Sequence, residues 1–229
     1  MSCRITGLSS MATRRVLADL ATAHAARGGR PVAITSLGGV EAARRIRAGE
    51  ATDLVVLASG VMAQLEAEGH LVPGSRADFA RSGIAVAVPA GAARPAIDDA
   101  DAVRRAILGA GRIGVSTGPS GDHLARLAER WGIAAEVAGR LVRAPPGVPV
   151  GSLLAQGTID LGFQQRSELL DLPGIEVLGP LPAGIQAVTV FSAGVSRTAP
   201  DPEGAGAVVA YLTSADAVAA KVRNGLEPA

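Results

Sequence analysis

Apolar and polar positions along the chain change period repeatedly, and each change marks an element. After a short apolar start, CRIT, the segment MATRRVLADLATAHAARGG places Val16, Leu17, Leu20 and Ala21 at helical spacing, and Gly28-Gly29 closes it. PVAITSL reads as a strand and GGVEAARRIRAG as a helix ended by Gly49. TDLVVLAS is a strand apolar enough to be covered on both faces. Strands alternating with helices over short connections predict a parallel sheet.

The same order is then written again. DADAVRRAILGAG is a helix, RIGVST a strand, GPSGDHLARLAERWGI a helix, AEVAGRLVRA holds a strand, GVPVGSLLAQG is a helix and IDLGFQQ a strand. Thr6-Gly7-Leu8-Ser9 before one helix matches Thr117-Gly118-Pro119-Ser120 before another, and the helix–Gly–Asp–strand unit at Asp53 recurs at Asp160. A long period used twice predicts two related α/β lobes rather than a solenoid. GIAVAVPA (Gly83 to Ala90) and AVTVFSAG (Ala187 to Gly194) belong to neither copy and read as two crossing strands. The expected organisation is lobe 1 from 1–83 and 192–229, lobe 2 from 90–186, and hinge strands at 84–89 and 187–191. The helical tail EGAGAVVAYLTSADAVAAKVRNGLEPA is expected to pack back on lobe 1.

Composition narrows the function classes. At 229 residues and 48% hydrophobic the chain can fill two lobes of about 100 residues each. A net charge of +1 and 2% aromatics supply neither the field nor the stacking surfaces of a nucleic-acid binder. No apolar run of about 20 residues predicts membrane insertion. Cys3 is the lone cysteine, and His24, His70 and His123 stand apart, so neither a disulfide nor a metal site is expected. No P-loop or dinucleotide fingerprint is present, so no cofactor is expected. The start carries no apolar leader, which predicts a cytoplasmic protein, or a periplasmic one where a leader has been removed.

The candidate chemistry lies where strands end. A strand closing on Gly and Ser before a helix leaves backbone N–H groups at the positive end of the helix dipole, which suits an anion. Each copy has such an end: Ser9 and Ser10 in one, Ser120 and Gly121 in the other. Parallel sheets hold ligands outside the carboxyl ends of their strands, so the pair reads as a clamp in a cleft between lobes. Helix capping is the simpler reading of these serines. Gln164 and Gln165 end the last strand of the second copy, and Gln186 precedes the second crossing strand. Amides both donate and accept, which suits carboxylate and hydroxyl groups. The alternative is that Gln164 faces solvent and Gln186 hydrates a loop. His123, early in a helix whose dipole disfavours imidazolium, is a candidate general base or else a surface histidine beside Asp122. Glu41 and Asp122 are the nearest acidic residues, and Arg14, Arg140 and Arg143 are candidates for carboxylate contacts.

GGVEAARRIRAGEATDLVVLAS, MAQLEAEGHLVPGSRADFARSGIAVAVPAG and LLAQGTIDLGFQQRSELL resemble successive signatures of the type II periplasmic binding proteins, and within them the molybdate-binding proteins. The resemblance covers almost the whole chain. It implies an α/β, two-lobed type II periplasmic-binding-protein fold with parallel-rich sheets, two crossing hinge strands and a ligand in the cleft. Ser10 falls on the family's first ligand serine. Gly39 and Val40 stand where hydroxyl residues are expected, and Gln165 stands for a tyrosine. Backbone donors are implied at Ser120 and at Gly147 or Val148. With those side-chain hydroxyls gone, the resemblance implies a carboxylate-bearing ligand rather than molybdate. Relatives of that family include aconitate isomerase, which implies a proton and double-bond shift in an unsaturated di- or tricarboxylate, with His123 or Glu41 as base. The other implied role is a non-catalytic binding protein for an oxyanion or organic acid, serving an ABC-transporter permease or a sensor.

Overall fold

The computed structural model describes residues 4–145 and 147–229, so Cys3 lies outside the described residues. The chain divides into Met1–Ser82 with Thr189–Ala229, and Gly83–Val188.

The first unit opens with β1 (Ile5–Ser10), α1 (Arg14–Ala26), β2 (Val32–Leu37), α2 (Gly39–Arg47), β3 (Leu54–Ala58) and α3 (Ser59–Ala67), then enters the long strand β4 (Ala77–Pro89). β1 lies between β2 and β3 and is parallel to both, as the alternation predicts. Val55 and Leu57 of β3 pack into one core, and Leu54 and Val56 into another on the opposite face. That division follows from the two-residue period of a strand and explains why β3 is apolar throughout. The first strand is longer than CRIT: β1 runs to Ser10 because Gly7 to Ser9 pair with neighbours on both sides.

The second unit contains α4 (Ala100–Gly109), β5 (Ile113–Val115), α5 (Pro119–Arg130), α6 (Ala134–Val137), β6 (Leu141–Arg143), α7 (Val150–Ala155), β7 (Leu161–Gln165), α8 (Arg166–Leu169) and β8 (Ile175–Pro180). Its sheet runs β4-β7-β5-β6, with β8 also on β4. β5 is parallel to β6 and β7, whereas β4 is antiparallel to β7. Ile84, Val86 and Val88 face one core, Ala85 and Ala87 the other.

The chain returns through β9 (Val188–Val195) to α9 (Pro202–Thr213), α10 (Val218–Arg223) and β10 (Glu227–Pro228). α9 and α10 pack Val208, Leu212 and Ala220 into the core shared with α1. The segments expected as hinge strands, 84–89 and 187–191, lie within the longer strands β4 and β9 and the residue before β9. Ile84 to Ala87 pair with β7 inside the second unit, and Phe191 already pairs with Ala58 of β3 inside the first. The chain passes from one unit to the other at Ser82–Gly83 and at Val188–Thr189.

Candidate functional site

In the second unit the carboxyl ends of β5 and β7 carry the polar residues. Gly118 caps α5, and Pro119 in its first turn supplies a helical φ without an N–H. Ser116 Oγ accepts from Gly118 N at 3.2 Å and lies 2.8 Å from Ser120 Oγ. With one N–H already donated to Ser116, the two hydroxyls form a short relay whose outer hydrogen can turn toward an acceptor. Sequence reasoning missed Ser116, which directly follows β5 in the loop ahead of α5. Gly121 is a packing residue: its N–H donates to Gly118 O at 3.0 Å, and a Cβ there would lie 2.0 Å from Ser116 O. It brings the helix onto the strand end and does not offer the ligand donor expected of it.

His123 lies in α5, half-buried. Its Nε2 is 2.7 Å from Ile185 O. A carbonyl oxygen only accepts, so Nε2 carries the proton and the neutral ring's lone pair is on Nδ1. In the neutral ring that bond fixes the tautomer and leaves Nδ1 as the acceptor nitrogen.

The three glutamines separate into different roles. Gln164, 2% exposed, accepts from Val150 N at 2.7 Å through Oε1 and donates to Glu168 at 2.7 Å, so it caps α7 instead of facing solvent or a ligand. Gln186 Oε1 accepts from Ile84 N at 2.8 Å and Ala187 N at 2.9 Å, while Nε2 donates to Ile84 O at 3.0 Å and Leu181 O at 3.3 Å. Its amide is fully used by backbone and has nothing left for a ligand. Gln165, 2% exposed, ends β7 opposite Ile84 of β4 and remains at the strand's carboxyl end.

Gly147 has φ 80° and Val148 N donates to Pro145 O at 3.0 Å, so the donor expected at Val148 closes a turn. Arg140 donates to the carbonyls of Leu108 and Ala110, capping α4, and is thereby removed from the candidate carboxylate contacts.

In the first unit Ser9 is fully buried, its Oγ 2.8 Å from Ser36 Oγ on β2. Ser10 ends β1 in extended conformation and makes no side-chain cap bond, its Oγ 3.5 Å from Thr13 Oγ1. Gly39 starts α2 and Val40 is 77% exposed, with no side-chain cap on that helix, so backbone N–H groups are what this end presents. Glu41 is a different case from the expected base. Arg44 grips it through two bonds of 2.7 and 2.8 Å and Arg45 through one of 3.0 Å. Those hydrogen bonds, Arg44's foremost, pull its carboxyl down to about 2. So weak a base cannot take a carbon-bound proton, and Glu41 leaves the catalytic list.

A further polar group, not foreseen from sequence, sits where β3 ends. Asp78 Oδ1 accepts from Ser59 Oγ at 3.2 Å and from Ser192 Oγ, with Arg76 3.8 Å away. Ser59, Asp78 and Ser192 come from α3, β4 and β9, so no local pattern joins them.

A family model described as bacterial extracellular solute-binding protein matches residues 5–227. The chain belongs to that family. It is 35% identical over 185 residues to a protein named aconitate isomerase from Pseudomonas sp, across 80% of this chain and 70% of that one. Among solved structures, the periplasmic molybdate-binding protein of Azotobacter vinelandii superposes with a TM-score of 0.82 at 21% identity, covering 97% of this chain and 98% of that one. The substrate-binding domain of a molybdenum ABC transporter from Clostridium difficile gives 0.74 at 14%, covering 99% of each. PEB3 bound to L-phospholactate gives 0.74 at 13%, covering 97% and 99%. The family and the two-lobe binding-protein fold implied by the sequence motifs are thus shown, and the family's members bind small solutes.

Proposed function

We propose that the chain binds an unsaturated di- or tricarboxylate at its strand ends and shifts the double bond by moving a proton, in the manner that its relative's name, aconitate isomerase, describes. The observation that carries this reading is the 35% identity to that relative across 80% of the chain. Three local features support it. Gly39 and Val40 offer backbone donors where hydroxyl ligands for a bare oxyanion are expected. Ser116 and Ser120 form a hydroxyl pair at the start of α5. His123 holds its lone pair on Nδ1.

In this scheme Nδ1 removes a proton from the carbon beside the double bond. The electron pair spreads through the double bond into a conjugated carboxylate, and the proton returns at the far carbon. One C–H bond breaks and one forms, so no oxidant or reductant is needed. Helix N-termini and hydroxyls hold the carboxylates and stabilise the developing charge.

The test is proton NMR of aconitate in D2O with the protein. Deuterium entering an allylic position, lost in His123→Ala, is the expected result. Aconitate that binds without exchange favours the second reading, a non-catalytic solute-binding protein, which the family membership and the retained Ser10 at the end of β1 support.

A further inference from the structure

Ile185 O, the acceptor for His123, is the terminal carbonyl of a short helical turn, Ala183–Ile185. Two bonds anchor the segment around that turn. Leu181 N donates to Ile84 O at 3.0 Å, and Ile185 N donates to Pro182 O at 2.9 Å. Beyond Ile185 the Gln186 side chain takes both the N–H and the carbonyl of Ile84, 102 residues earlier in sequence. Gln186 thus acts as one more rung on β4, next to the pairing of Ala85 with Pro180 of β8, and holds the peptide that follows Ile185. Gly83 makes room for it: a Cβ there would stand 3.1 Å from Nε2 and 3.2 Å from Cδ of Gln186.

We propose that Gln186 is a positioning residue for His123: by pinning the Ile185–Gln186 peptide to Ile84, it aims the Ile185 carbonyl at Nε2 and so keeps the imidazole lone pair on Nδ1. This inference rests on His123 being the base proposed above. All the residues in the chain from Gly83 to His123 belong to the second unit.

Removing the Gln186 amide leaves the N–H and carbonyl of Ile84 without that partner and loosens the turn. The Ile185 oxygen then no longer selects one ring nitrogen. A residue that merely supports folding would lower stability without changing which nitrogen is protonated.

The experiment is long-range 15N–1H spectroscopy of the histidine rings in the full chain, with His123 assigned by comparison with His123→Gln. Wild-type protein is expected to show the neutral ring protonated at Nε2. Gln186→Leu is expected to show a mixture of both tautomers, with kcat on aconitate falling by roughly 10-fold and KM within about twofold. Gly83→Ala, the milder change, is expected to move the spectrum the same way and decides the matter where Gln186→Leu fails to fold. An unchanged His123 spectrum in the folded variants overturns the proposal. Full turnover in His123→Ala overturns the base assignment instead, and that outcome is recognised without any Gln186 variant.

Discussion

Asp53 holds Thr6 twice: its Oδ2 accepts from the backbone N and from Oγ1, each at 2.8 Å. Its other oxygen accepts from Asp201 N at 2.9 Å, where α9 begins. The second copy repeats the device, with Asp160 Oδ2 accepting from Arg112 N at 2.8 Å. In both, an Asp just ahead of one strand ties down the backbone at the start of the parallel strand beside it. Asp53 is buried whereas Asp160 is exposed. Asp53→Ala is therefore expected to destabilise the fold by on the order of 3 kcal/mol, through charged hydrogen bonds lost inside, and Asp160→Ala by about 1 kcal/mol. Urea denaturation of both variants measures the difference, and equal losses would contradict the burial argument.

Gly121 and Gly118 stand three residues apart at the start of α5 but face different surroundings. A Cβ at Gly121 meets backbone, Ser116 O, at 2.0 Å, while one at Gly118 meets only Ser116 Oγ at 3.7 Å. Gly121→Ala is expected to cost about 2 kcal/mol or more by pushing the helix off the strand end, and to weaken ligand binding with it. Gly118→Ala should be far milder. Denaturation midpoints and ligand titration of the pair read the contrast.

Lys221, 2% exposed, lies with Nζ 5.8 Å from the centre of the Phe79 ring, and no ion pair reaches it among the described residues. Burial lowers its pKa from the ordinary 10.5. Between that lowered value and 10.5 the unfolded chain binds the extra proton, so stability rises with pH through this window and the deficit is fully present below it. Lys221→Met keeps the apolar stem and is expected to raise the melting temperature at neutral pH and flatten its rise toward pH 10. Thermal unfolding across that range checks it, and a variant less stable at pH 7 would show that the cation–π contact outweighs desolvation.

Gln164 reaches Val150, the first residue of α7, from 14 residues away. Gln164→Leu keeps the buried volume but strands that N–H, and is expected to cost roughly 1–3 kcal/mol and to speed amide exchange in α7 ahead of the rest of the second unit. Exchange measured residue by residue distinguishes this from a uniform loss.

Molybdate supplies a direct check on the ligand class. With Gly39, Val40 and Gln165 at positions where hydroxyl side chains are expected, calorimetry is expected to give no submicromolar binding of molybdate or tungstate. Tight binding of either would move the proposed function to oxyanion capture.

The alternation of strands and helices, the second copy and the Asp that opens each third strand were all legible in the amino-acid sequence. Those features are local: the periods of Val16-Leu17-Leu20 and of Leu54 to Leu57 report which faces are buried, and a window of about 11–18 residues is enough to read them. The helix starts near Ser10 and Ser120 were legible for the same reason, since a helix start is a short-range pattern. Tertiary structure alone decided what the polar side chains do there. Gln164, Gln165 and Gln186 are chemically identical amides, yet one caps a helix, one ends a strand and one is bound to the backbone of Ile84, 102 residues away. His123 had its tautomer chosen by a carbonyl 62 residues on. Glu41 is the exception: Arg44 and Arg45 stand at i+3 and i+4 on its own helix, a pairing that the sequence spacing itself carries. A hydrogen bond depends on direction and on angstroms of separation between groups far apart in sequence, and no periodicity along the chain encodes that.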